Sequence, residues 1–130
     1  MGLIEKRLIR SGQQEWVPEA QKELRELTHG EQVYEVDWEG FTSDEAALNN
    51  LQNQALRRIN AAFRVVCRDD LGQEAVKEEI AKIVVRNASE PAKKGMALKD
   101  GTFTFTAALG KGDAGYFTDN EIIKFLQHAL

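Results

Sequence analysis

Cysteine occurs once in this sequence, at Cys67, so no disulfide can close within the chain. Its neighbours Val65 and Val66 predict a buried thiol with no redox partner. Histidine occurs twice, as His29 and His128, with none of the His-x-x-x-His or Cys/His spacing that a metal site needs. Long apolar runs are missing as well. Nothing approaches the ~18 residues of a membrane span, no apolar signal-peptide core opens the chain, and Lys6 breaks the myristoylation pattern. A cytoplasmic protein with no membrane partner is the expectation. Basic residues are also in short supply: 17 Lys and Arg face 21 Asp and Glu, a net charge of −4. Nucleic-acid binders need a basic surplus to neutralise phosphates, so that partner is not expected either.

What is present fits one soluble domain spanning residues 1–130, with 42% hydrophobic and 29% charged residues. The charge is uneven. Residues 1–56 carry −6, residues 57–112 carry +4, and residues 113–130 carry −2. Complementation within the fold or within a symmetric oligomer accounts for this, and a sharper reading places a basic patch at Arg57, Arg58, Arg64 and Arg68.

Hydrophobic periodicity sets out the elements. Leu3, Ile4, Leu8 and Ile9 recur at helical spacing up to Ser11 and Gly12, and a second helix starts at Val17-Pro18 and ends at Gly30. From Gln32 the period changes to 2. Tyr34, Val36 and Trp38 then share one strand face, opposite Glu35, Asp37 and Glu39. Thr42 and Glu45 have capping-box spacing ahead of the longest helix, whose Leu48, Leu51, Ala55, Ile59, Ala62 and Val66 form a broad apolar face. Asp70 and Gln73 suggest the cap of a short helix through Val76 and Ile80. The β-branched run Ile83-Val84-Val85 tilts residues 82–87 towards a strand.

Asp100-Gly101 is the preferred pair for a two-residue type I′ turn. It predicts a hairpin in which Lys99 faces Thr102 and Met96 faces Phe105. Met96, Leu98, Phe103, Phe105 and Ala107 then share one face, opposite Thr102, Thr104 and Thr106. Thr118 and Glu121 form a capping box for a terminal helix. The predicted class is α+β, a small antiparallel sheet of about four strands, including the 96–107 hairpin, with helices on one face.

Chemistry is harder to find. Gly110, Gly112 and Gly115 match G-x-G-x-x-G between a strand and a helix, the pattern that brings a backbone close to a pyrophosphate. Only 15 residues follow Gly115, the feeding strand belongs to a hairpin, and Asp113, Asp119 and Glu121 place carboxylates where phosphate would sit. The same stretch lacks the first three oxygen ligands of a calcium loop. Glu35, Asp37 and Glu39 read as a solvated strand face that discourages edge pairing.

No catalytic residue, cofactor or metal ligand is assigned. The leading expectation is a non-enzymatic binding or assembly module that takes a protein partner or self-associates through the threonine face or its edge. The alternative is a small-ligand protein or enzyme with a pocket between the sheet and the long helix. Its residues would come from Asp37, Trp38, Arg64, Gly110, Gly112 and Gly115.

Overall fold

The computed structural model describes residues 1–130. Its first element is longer than the periodicity predicts. The α-helical segments Leu3–Ser11 and Val17–Thr28 join through a π turn, Gly12–Trp16, into one continuous helix, α1. Pro18 gives the physical reason. Its ring would press on the carbonyl four residues back in a regular helix, and the wider turn relieves that while Val17 N–H bonds to Gly12. The helix therefore passes Ser11-Gly12, where a break was expected. At its C-terminus it is His29, at φ 55°, that takes the left-handed position expected of Gly30.

Strand β1 spans Val33–Val36 and stops one residue short of Asp37. Trp38 belongs to a 3₁₀ turn, Trp38–Phe41, and not to the strand. Helix α2 comprises Glu45–Leu51, a second π turn Gln52–Leu56, and Arg57–Val66. Its cap is Asp44, whose Oδ1 accepts from Ala47 N–H, whereas the Thr42 hydroxyl turns back to the Glu39 carbonyl. Helix α3, Asp70–Glu79, is capped by Asp69 through Gly72 N–H, one residue before the expected Asp70. Strand β2, Lys82–Asn87, has the predicted limits.

The hairpin of β3, Gly95–Lys99, and β4, Thr102–Ala107, has the predicted register from Lys99 opposite Thr102 to Met96 opposite Phe105. Both turn residues, Asp100 and Gly101, have positive φ, as a type I′ turn requires. Helix α4, Asp119–Ala129, opens on the predicted Thr118–Glu121 capping box.

The fold is α+β, but the expected antiparallel sheet is corrected to a mixed one. The strand order is β1-β2-β4-β3; β1 with β2 and β2 with β4 run parallel, and only β3 with β4 is antiparallel. The hairpin reports on its own two strands. The parallel neighbours are brought together by long connections, α2 and α3 between β1 and β2, and these leave no turn signature.

One face of this sheet carries Tyr34, Val36, Ile83, Val85, Phe103 and Phe105, all buried. Against it lies α2, with Leu48, Leu51, Leu56, Ile59 and Phe63 fully buried, packed against both α1 and α4. Edge-to-face and stacked rings fill the seam: Phe63 on Phe103, Phe103 on Phe125 and Phe105 on Phe117. Aliphatic and aromatic side chains thus occupy the space between the sheet and the long helix.

Candidate functional site

Alternation along each strand sends every second side chain to the other side of the sheet. Register then arranges that side in rows. Val33, Lys82, Thr102 and Lys99 form the first, Glu35, Val84, Thr104 and Ala97 the second, and Arg86, Thr106 and Gly95 the third. Val33, Glu35, Lys82, Arg86, Ala97 and Lys99 are exposed, and Val84 and the three threonines are half-buried. Lys82 Nζ lies 3.0 Å from Glu35 Oε2 across neighbouring strands of this face. Its centre is therefore small or β-branched and uncharged, with the charges towards the corners. Sheets with parallel pairing are normally covered on both faces, because their crossovers carry helices to each side. Here all the packing is on one.

Most of this face escapes local sequence reading. The threonine column was legible from the hairpin, but Lys82, Val84 and Arg86 join it only through the parallel pairing of β2 with β4. The β-branched run Ile83-Val84-Val85 was the available signal, and it says nothing of which strand lies alongside.

The structure disperses the residues that the sequence offers as ligand candidates. Asp37 is exposed, its backbone N–H bonded to Val85 and its carbonyl to Gly40 N–H. Trp38 packs on Phe41, with ring centroids 6.0 Å apart, and against α1, where a Cβ on Gly12 would come within 2.5 Å of the indole. Arg64 lies in a groove between α1 and α2, where it meets Glu23 at 3.2 Å.

Gly110 and Gly115 have packing roles. A Cβ on Gly110 would approach Asp44 Oδ1 to 2.6 Å, so a carboxylate faces that backbone. A Cβ on Gly115 would stand 2.1 Å from the Ala108 carbonyl oxygen, and Gly112 supplies φ 73° between them. The loop is tied down by Ala108 N–H to Gly115 and by Asn50 and Asn87 to the two sides of the Leu109 peptide.

Of the expected basic patch, Arg57 and Arg64 line one groove, and Arg58 lies apart from it. Arg58 bonds to the Phe117 carbonyl at 2.8 Å and lies over the Tyr116 ring, while Arg57 holds Asn53 and Arg64 holds Glu23.

Three groups have displaced pKa values. Burial, with Glu23 adding to it, holds Tyr34 well above its ordinary value. Burial, with Asp69 adding to it, pushes Cys67 up to about 11. Glu121 is lowered, chiefly because the Thr118 backbone N–H donates to it. Each is part of a packed interior or a helix cap.

No helix is long and apolar enough to cross a membrane. No protein-family model, no curated protein and no solved structure matches this chain.

Proposed function

We propose that this protein is a non-enzymatic assembly module whose working surface is the bare sheet face and whose partner there is a second copy of the chain. The observation that carries this reading is the uncovered side of a sheet in which three of four strands run parallel. The displaced titrations support a non-catalytic role, since burial and capping account for each of them.

Charge placement supports self-pairing in one orientation. A two-fold axis parallel to the strands sets β2 of one copy over β4 of the other. Lys82 then meets Thr102, Arg86 meets Thr106, Val84 meets Thr104, and Lys99 reaches the strand that carries Glu35. No cation faces a cation. A two-fold axis across the strands would instead stack Lys82 on Arg86, which like-charge repulsion disfavours. Aligned packing of the two inner faces is the ordinary geometry of a β-sandwich. Four strands and five residues give a face of about 20 by 16 Å. That is small for a homodimer, so dissociation in the micromolar range is expected.

Sedimentation velocity across roughly 0.5 μM to 500 μM tests this, because a micromolar dimer changes state in that interval. The wild-type chain should shift from monomer towards dimer, and Thr104→Arg should remain monomeric with unchanged circular dichroism. A wild-type chain that stays monomeric throughout overturns the proposal, as does a Thr104→Arg variant that dimerises as well as wild type.

A further inference from the structure

We propose that the groove between α1 and α2 binds a small zwitterion of the amino-acid class, with its ammonium on Glu19, its carboxylate on Arg57 and an apolar side chain against Trp16 and Ala20. The groove has a volume of about 340 Å³, at the small end for ligand sites and suited to a metabolite.

Its walls differ in sign. Helix α1 contributes Glu19 and Glu23, and α2 contributes Arg57 and Arg64. Glu23 and Arg64 are already satisfied. Glu23 Oε1 accepts from Asn60 Nδ2 at 2.7 Å, and its Oε2 from Arg64 at 3.2 Å. Asn60 is itself fixed, donating also to the Ala20 carbonyl and accepting from the buried Tyr34 hydroxyl. Glu19 and Arg57 are free of ion pairs. Arg57 holds only the neutral Asn53, and the structure's two ion pairs, Arg64–Glu23 and Lys82–Glu35, leave Glu19 without a cation. An unpaired anion on one wall and an unpaired cation on the other match a ligand carrying both charges.

The backbone gives an independent pointer. The π turn Gln52–Leu56 contains no proline to require it, and it places Gln52 and Leu56 on the groove wall. Trp16, the last residue of the other π turn, lines the facing wall. Such turns recur at functional sites, where the extra residue re-aims side chains.

The test is an NMR titration that follows the Trp16 indole N–H, distinguished from that of Trp38 by a Trp16→Phe reference. Free L-leucine, L-phenylalanine and L-methionine are the probes, each compared with its N-acetyl and carboxamide forms. At least one free amino acid should shift the Trp16 signal saturably. Blocking either end should weaken binding at least tenfold, and so should Glu19→Gln or Arg57→Gln, with the fold unchanged by circular dichroism. The proposal is overturned if no free amino acid titrates Trp16, if the blocked forms bind equally well, or if both variants bind like wild type. None of these readings depends on whether the chain dimerises through its sheet.

Discussion

The Tyr34 hydroxyl donates a 2.7 Å hydrogen bond to Asn60 Oδ1, and both side chains are buried between sheet and helices. This bond ties β1 to α2. Through Asn60 Nδ2 it continues to the Ala20 carbonyl and to Glu23 on α1, so one amide links three elements. Tyr34→Phe leaves the Asn60 oxygen unpartnered and should cost about 1–2 kcal/mol. Asn60→Leu strands the buried hydroxyl and takes the donor from Glu23 Oε1, and should cost about 2–4 kcal/mol. In urea unfolding the double variant should be less destabilised than the sum, since the two changes remove one shared bond.

Alkaline pH should weaken the fold in two stages. Burial raises Cys67 from its ordinary 9.0 to about 11 and raises Tyr34 above its ordinary 10.0. The native state therefore holds both groups neutral where the unfolded chain ionises them. Their contribution is complete below about pH 9 and is lost as pH rises through the folded values. Urea midpoints measured at steps from pH 7 to 11 should begin to fall near pH 9. In Cys67→Ala the fall should begin about one unit higher.

Acid acts on the last helix. The Thr118 backbone N–H lowers Glu121 below its ordinary 4.5. That contribution is present above the ordinary value and lost as pH falls through the lower, folded one. Glu121 is exposed, so solvent screening keeps it well under ~1 kcal/mol. Thr118→Ala removes the Glu121 N–H acceptor and should cost about 1 kcal/mol. Thermal unfolding of Thr118→Ala and Glu121→Gln at pH 7 and pH 3 checks both, with the difference between Glu121→Gln and wild type shrinking in acid.

Two glycines should tolerate no side chain. A Cβ at Gly115 would fall 2.1 Å from the Ala108 carbonyl oxygen, and one at Gly72 only 1.8 Å from that of Val66. Both neighbours are backbone, so the chain must shift to make room. Each Gly→Ala change should cost at least about 1–3 kcal/mol. Gly95→Ala meets nothing within 4 Å and should stay within ~0.5 kcal/mol, which denaturant midpoints would separate clearly.

What could be read from the chain followed distance along it. The hairpin was legible to its register because turn chemistry at Asp100-Gly101 and alternation on both flanks are local and agree. The Thr118 box was legible for the same reason. Caps at Asp44 and Asp69 were displaced by one or two residues, because several oxygen-bearing side chains in each segment had plausible spacing. Of the ligand candidates, Arg64 lines the groove between α1 and α2, but its partner Glu23 on the facing helix is 41 residues away and no spacing connects them.

By itself the sequence determined the class of each long element, the hairpin, the apolar faces and the charge asymmetry, all of which follow from periodicity and short-range capping. Only the tertiary structure decided that β2 and β4 run side by side, which left one face of the sheet bare. It alone also decided that α1 continues through its proline, and that Glu19 and Arg57 line one groove. The reason is common to all three. Parallel pairing and helix crossing are settled by which apolar faces bury together, and that choice sums over the whole core while leaving no mark at any one position.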